Sequence, residues 1–192
     1  AKRIQGTIRN GYIFKYRRLM QKDNMETIYW IHANVGNLNL IVAATGRGLC
    51  YVGSPDAPFE AFALWAAKHI PGHKLVESKE NMEPYTNELK AYMDGKQKEF
   101  SFPLDLRGTE FQRKVWNELL RVPFGQAATY TDIALRLNRP DAVRAVGTAI
   151  GANPVLITVP CHRMFGKHGE WRGYRGGMKM KEQLVELENI RP

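Results

Sequence analysis

The chain has 192 residues, of which 44% are hydrophobic and 24% charged. That is the ordinary balance of a globular protein and excludes collagen-like, disordered and disulfide-scaffold classes. The unusual quantity is charge: 28 Lys and Arg against 19 Asp and Glu leave a net +9, which points to a polyanionic partner, either nucleic acid or an acidic membrane surface.

In chain order, the opening Ala1-Lys2-Arg3-Ile4-Gln5-Gly6 has no apolar run behind its basic residues and is not read as a secretory signal. Thr27–Ile31 and Leu38–Ala44 read as strands, Gly46-Arg47-Gly48 as a turn, and Leu49–Val52 as a further strand. Phe59 to His69 reads as a helix, with Phe62, Leu64, Trp65 and Ile70 apolar. Thr86 to Met93 reads as a second, stopped by Asp94-Gly95. Phe100–Leu104 alternates, and residues 103–109 are read as a linker between an α/β N-terminal domain, residues 1–105, and a mainly helical C-terminal domain, residues 106–192.

The charge divides unevenly at that point. Residues 1–105 carry 14 basic and 11 acidic residues, a net +3, whereas residues 106–192 carry 14 basic and 8 acidic, a net +6. The first part has 9 Lys and 5 Arg, the second 4 Lys and 10 Arg. Arg is the residue suited to phosphate and base contacts, so the polyanion face is expected in the second part.

That part opens with a helix over Phe111–Leu120, with Phe111, Val115, Trp116, Leu119 and Leu120 on one side, stopped by Pro123-Phe124-Gly125. A second helix starts at the capping-box-like Thr129-Tyr130-Thr131-Asp132 and runs through Ile133, Ala134 and Leu137. After a break at Asn138-Arg139-Pro140, a third runs from Asp141 to Ile150 and ends at Gly151. Two short helices joined by a tight turn resemble a helix-turn-helix. The third helix has a core side of Ala142, Val143, Val146, Ala149 and Ile150. Its other side carries Arg144, Gly147, Thr148 and Gly151: one long cation on a bed of small residues. Two exposed glycines cost about 1 kcal/mol each relative to Ala, which suggests a surface shaped for close contact. An ordinary solvated Arg is the plain alternative.

Val155–Val159 reads as a buried strand that ends at Pro160-Cys161-His162-Arg163. A neighbouring Arg or His lowers a thiol pKa, so Cys161 is the candidate nucleophile, while Cys50 sits in an apolar run and reads as inert core. Adjacent residues on an extended chain point apart, so His162 is expected to reach Cys161 through a water or a turn. With two cysteines in all, no C-x-x-C, and His162 and His168 six apart, neither a disulfide framework nor zinc is supported. The glycine-rich loop Gly169-Glu170-Trp171-Arg172-Gly173-Tyr174-Arg175-Gly176-Gly177 offers the flat apolar faces that an extruded base needs. A loop with its aromatics in the core is the alternative. A final helix carries Met180, Leu184, Leu187 and Ile190 on one side. No run of 18 apolar residues is present, and the protein is expected to be soluble and intracellular.

Val122-Pro123-Phe124-Gly125, Thr129-Tyr130, Arg144-Ala145-Val146-Gly147, Asn153-Pro154, Val159-Pro160-Cys161-His162-Arg163 and Gly173-Tyr174-Arg175-Gly176-Gly177 stand in one order along the chain. Through them residues 111–192 resemble the O6-alkylguanine-DNA alkyltransferases. The resemblance implies single-turnover, direct-reversal repair: an alkyl group passes from O6 of guanine in double-stranded DNA to Cys161, with the base flipped out from the minor groove. It implies that His162, through a water, and Glu188 in the last helix generate the thiolate. Tyr130 would contact the extruded nucleotide and help protonate the leaving guanine, and Asn153 would orient the turn beneath the site. Arg144 would fill the gap in the base stack, with Thr131 and Arg139 as further DNA contacts. Trp171, Tyr174 and Arg175 would line the pocket. No cofactor and no metal are expected, since some members bind zinc in the first part through several Cys and His, and here that part has Cys50 as its only cysteine. The expected state is a monomer, with cooperativity on DNA open, in the cytoplasm or, in a eukaryote, the nucleus. Two rival readings are a non-catalytic helix-turn-helix protein that binds lesions or regulates, which would not need Cys161, and a multiple-turnover cysteine hydrolase.

Overall fold

The computed structural model describes residues 25–192. Its first part is a four-stranded sheet of order β3-β2-β1-β4. Strands β1 (Thr27–Val35), β2 (Leu38–Thr45) and β3 (Gly48–Val52) run antiparallel in sequence, and β4 (Lys74–Glu77) pairs parallel to β1. Period-two alternation gives the sheet two apolar faces. Ile28, Ile41, Ala43 and Cys50 meet helix α1 (Phe59–His69) through Phe62, Ala66 and Ile70. Ala33, Val35, Leu40, Val42 and Ala44 point the other way, toward helix α2 (Lys79–Met93) and its Met82, Leu89 and Tyr92.

Sequence periodicity places α2 too late, at Thr86. Ser78 caps the helix by accepting from Asn81 N at 3.3 Å, and the helix then continues through Pro84. The short edge strand β4 has no counterpart in the sequence reading, because its four residues, exposed at both ends and half-buried between, carry no alternation. The expected linker is anchored. Leu49 N donates to Pro103 O and Asp105 N to Leu49 O, both at 2.9 Å, and Thr45 Oγ1 donates to Asp105 at 2.6 Å. Residues 103–105 therefore extend the edge of β3.

The second part is helical, as expected. Helix α3 (Glu110–Leu120) starts at a capping box between Thr109 and Gln112, and α4 (Tyr130–Arg136) at one between Thr129 and Asp132. A 3₁₀ turn over Pro140–Ala142 leads into α5 (Val143–Gly151), with Val146, Ala149 and Ile150 buried and Arg144 and Thr148 exposed. Helices α4 and α5 form the helix-turn-helix. Trp116 of α3 fixes them from below, since its indole N–H donates to Ala149 O at 2.8 Å. Leu120, assigned to the apolar side of α3, is exposed at the helix end. The final helix α6 spans Met178–Leu187.

Val155–Val159 is buried, but it is not a strand. Only Val155 bridges Val52; Leu156–Thr158 turn back, with Ile157 at φ +69°. Burial composition alone does not separate a strand from a buried turn. One hydrophobic cluster runs from Val35 and Val42 of the sheet through Leu156 and Cys161 to Leu184 of α6. Among the described residues no helix is long and apolar enough to cross a membrane.

Candidate active site

Asn153 closes the turn that presents the thiol. Its Oδ1 accepts from Val155 N at 2.9 Å. Its Nδ2 donates to Val159 O at 3.0 Å and lies 3.1 Å from Cys161 Sγ. This side-chain amide replaces the ladder partners of a strand. The chain then enters a 3₁₀ turn over Cys161–Arg163 and pairs Met164–Phe165 (β6) parallel to Ala128–Thr129 (β5). The β5–β6 pairing brings the first turn of α4, and with it Tyr130 and Thr131, beside the cysteine turn.

Cys161 is 4% exposed. Burial pushes its thiol pKa up, offset in part by the Asn153 amide and by the charges of Arg175 and Lys181. The expectation that neighbouring cations bring this thiol below its ordinary pKa is therefore corrected: it rests protonated. Arg163, next but one in sequence, spends its guanidinium elsewhere, on Glu188 and on Val122 O at 2.5 Å. Cys50 is fully buried, lies 3.4 Å from Ala43 O, and has its pKa driven far up by burial.

No hydrogen bond joins Cys161 to His162, in line with side chains that point apart. His162 Nε2 lies 2.5 Å from Glu188 Oε1, and both groups are buried. Burial lowers the His162 pKa, against the pull of Glu188. A neutral imidazole facing a carboxylate carries its proton on Nε2, so Nδ1 keeps its lone pair. That Nδ1 is buried and has no protein partner among the described residues. Glu188 caps the end of α6. Burial alone would raise its pKa, but bonds from His162, Arg163 and Gly125 N hold it at about 2. Gly125 has φ +76°, a conformation glycine adopts without strain, and its N–H donates to Glu188 Oε2 at 2.9 Å.

Gly125 and Tyr92, whose hydroxyl also donates to Glu188, carry no role in the sequence reading, and Arg163 figures there only as a cation beside the thiol. Lys181 is a further residue it missed: 1% exposed, with Nζ donating to Met164 O at 2.7 Å and to Arg172 O at 3.3 Å. Its signal was faint, a Lys one position from Met180 on a helix whose other face is polar.

The remaining expected site residues are dispersed around this centre. Tyr130 is half-buried, its ring 3.7 Å from the position a Cβ would occupy on Gly147, and burial raises its pKa. With Thr131, Val143, Gly147, Gly166, Lys167 and Arg172 it lines an open recess of about 420 Å³. Tyr174 has a buried hydroxyl with no side-chain partner among the described residues, and burial raises its pKa. Trp171 is 43% exposed and meets Phe165 edge-on at 5.4 Å, outside that recess. Arg175 turns toward the first part, donating to Asn153 O and to the Tyr51 hydroxyl at 3.2 Å. Arg144 stands exposed on α5, at a groove shared with Thr109, Gln112 and Asp141. Arg139 is exposed, its guanidinium 5.8 Å from the Phe111 ring. Among the described residues no group of three or more His, Cys, Asp or Glu is gathered as a metal site would require.

A small α/β unit followed by a basic helix-turn-helix that shelters a buried Cys–His–Glu constellation defines a DNA-directed cysteine protein. Residues 31–106 match the ribonuclease-like domain of 6-O-methylguanine DNA methyltransferase, and residues 110–190 match the DNA-binding domain of the same family. The inducible methylated-DNA–protein-cysteine methyltransferase of Bacillus subtilis is 50% identical over 165 residues, 86% of this chain and 92% of that protein. The crystal structure of Mycobacterium tuberculosis O6-methylguanine methyltransferase superposes with TM-score 0.71 at 35% identity, covering 88% of this chain and 96% of that one. The M. tuberculosis OGT complex with DNA gives 0.69 at 34%, covering 84% and 92%. The chain belongs to the 6-O-methylguanine DNA methyltransferase family, the methylated-DNA–protein-cysteine methyltransferases of direct-reversal DNA repair.

Proposed function

We propose that this protein removes a methyl group from O6 of guanine in duplex DNA by a single transfer to Cys161. The observation that carries the reading is the buried His162, fixed by Glu188 through Nε2 while Nδ1 keeps a free lone pair, one residue from a buried thiol. Such a pair supplies a base without exposing it to bulk water.

The step is a displacement at carbon. The Cys161 proton passes through a water to His162 Nδ1, and Glu188 stabilises the imidazolium that results. The sulfur forms a bond to the methyl carbon as the carbon–O6 bond breaks. The leaving guanine takes a proton from the Tyr130 hydroxyl, which regains one from His162 through water, so the proton given up by Cys161 ends on the guanine. The product is a thioether, which nothing at the site can hydrolyse, so each molecule acts once.

The target base lies inside a duplex and has to be extruded at a cost of a few kcal/mol. Arg144 on its bed of small residues fills the space left in the stack, approached from the minor groove. Thr131 and Arg139 flank it on the DNA, and Tyr174 lines the pocket. Arg175 and Trp171 act less directly, by holding the loop of residues 169–177 in place. In this division of labour residues 1–105 support the fold and residues 106–192 bind DNA and accept the alkyl group. The protein acts as a monomer, in the compartment that holds the DNA: the cytoplasm of a bacterium, or the nucleus of a eukaryote.

The test is methyl transfer from labelled O6-methylguanine duplex to protein. Wild type is expected to take up one label per molecule, found on the Cys161 peptide, and Cys161→Ala none. No uptake by wild type, or equal uptake by Cys161→Ala, sinks the reading.

A further inference from the structure

Glu188 is the group at which the two parts of the chain meet inside the site. Its Oε1 accepts from His162 Nε2 at 2.5 Å, from Arg163 Nη2 at 3.0 Å and from the Tyr92 hydroxyl. Its Oε2 accepts from Arg163 Nε at 2.8 Å and from Gly125 N at 2.9 Å. Four of these bonds come from the second part of the chain. Tyr92 alone comes from α2, 96 residues away.

Tyr92 has no exposed surface, and its ring lies against Phe100 at 5.1 Å and Phe124 at 5.9 Å. Filling that space needs only a ring, and a Phe would do it without burying a hydroxyl. The hydroxyl is held instead against the one oxygen that bonds His162. Every donor on that oxygen draws charge from the carboxylate, and a less negative carboxylate raises the basicity of the imidazole less. The Tyr92 hydroxyl also restricts the rotation of the carboxylate, and with it the direction of the His162 ring.

We propose that Tyr92 is a positioning residue for alkyl transfer: by sharing Glu188 Oε1 with His162, its hydroxyl sets the orientation and basicity of the imidazole that takes the Cys161 proton. The first part of the chain thereby contributes to the chemistry and not only to the fold. The proposal rests on the assignment of Cys161 and His162 made above.

Other groups face the same centre. Glu188 and Lys181 come from α6 and its cap, Arg163 and Cys161 from the turn of His162 itself, Tyr130 from α4, and Tyr174 and Arg175 from the following loop. Of these only Arg163 also bonds Oε1, and it is a permanent cation. A change in His162 basicity on loss of the Tyr92 hydroxyl is thus assignable to that bond.

The experiment compares full-length wild type, Tyr92→Phe and Phe100→Leu. The charge state of His162 is followed by ring ¹⁵N shifts without DNA, down to the acid limit of the folded state. The rate of methyl uptake from duplex DNA is followed against pH. Tyr92→Phe is expected to favour the imidazolium, moving the ¹⁵N midpoint and the acid limb of the rate up by about half a pH unit or more. Its plateau rate is expected to fall about threefold to tenfold through the lost orientation. Phe100→Leu loosens the packing on the Tyr92 ring but keeps the hydroxyl; it is expected to lower the melting temperature and leave midpoint and limb in place. An unmoved midpoint and limb in Tyr92→Phe overturn the proposal, and so does an equal movement in Phe100→Leu. If wild type takes up no methyl group, the acceptor assignment fails instead, while the ¹⁵N midpoint still decides whether Tyr92 sets the basicity of His162.

Discussion

Asn153 and Cys161 are joined across eight residues by one side-chain amide, which holds Sγ at 3.1 Å and bonds Val159 O and Val155 N on the way. One buried side chain thus spans the turn that presents the thiol, beside the backbone bonds from Val159 N to Val155 O and from Cys161 N to Val159 O. Asn153→Ala leaves the buried Val155 N–H unpaired, a loss that costs about 1–3 kcal/mol, whereas Val159 O keeps its bond from Cys161 N. Denaturant unfolding is expected to show a loss of about 1–3 kcal/mol on that basis. The same substitution removes the hydrogen bond that lowers the Cys161 pKa, so thiol alkylation by a small electrophile is expected to need higher pH. Wild-type stability and wild-type thiol reactivity in Asn153→Ala would contradict this account.

Acid is expected to unfold the protein through the same constellation. The folded-state pKa of His162 lies below its ordinary 6.5, because burial disfavours the imidazolium. The unfolded chain therefore binds a proton that the native state refuses, and stability falls as pH drops below about 6.5. Glu188 is held at about 2 against an ordinary 4.5, so its contribution is complete above 4.5 and is lost as pH falls from there toward 2. At 1.36 kcal/mol per unit this second loss amounts to about 3 kcal/mol. Glu188→Gln is expected to be less stable at pH 7 by about 3–5 kcal/mol, because Arg163 is left buried without its partner. Its stability should then be flatter than that of wild type between pH 4.5 and 2, as urea titrations at each pH will show. Parallel curves for the two proteins would exclude Glu188 as the acid-sensitive group.

How much of this was legible in the sequence follows from where each signal resides. The three helices before Asn153 announced themselves because capping residues and periodic apolar positions are local: Thr129 and Asp132 form the box their spacing suggests. Cys161, His162 and Asn153 were legible as an ordered motif, and the structure gathers them with Glu188. The segment Val155–Val159 was misread because its extended look came from apolar composition, whereas its path is set by the Asn153 amide and by one bridge to Val52. The role of Arg163 was misread for a related reason. Proximity in sequence to Cys161 suggested a thiol partner, yet the 3₁₀ turn sends its guanidinium to Glu188. Tyr92 was invisible and Lys181 nearly so, since a bond spanning 96 residues and a lysine buried beneath a loop leave little local pattern.

Lys181 carries a prediction of its own. Its ammonium sits 4.6 Å from the Phe165 ring centre and 5.7 Å from that of Trp171, and bonds the carbonyls of Met164 and Arg172. Burial brings its pKa down to about 8. It thus ties β6 and the middle of the aromatic loop to α6. Lys181→Met keeps the length of the side chain but removes both bonds. Amide hydrogen exchange over residues 166–176 is expected to quicken at least tenfold, equivalent to about 1.4 kcal/mol of lost local protection, while α3 and the sheet keep theirs. Unchanged exchange in that loop would mean the ammonium does not hold it.

The charge division and the helix-turn-helix lead to the last prediction. Arg144 is exposed on α5 beside the exposed Ala145 and Thr148, while Gly147 lies against the Tyr130 ring. If it replaces the extruded base in the stack, its value depends on there being a stack. Arg144→Ala is expected to slow methyl uptake from a paired duplex by tenfold or more, since extrusion costs a few kcal/mol that the inserted side chain offsets in part. Reaction with the free O6-methylguanine base should be nearly unaffected, because nothing has to be extruded. Affinity of wild type for undamaged duplex should fall steeply with added salt as phosphate counterions are released, and Arg144→Ala should keep most of that slope, since the other Arg and Lys of residues 106–192 remain. Equal losses on duplex and free base would remove Arg144 from the extrusion step, and a flat salt response in wild type would remove the net +6 of this part from DNA binding.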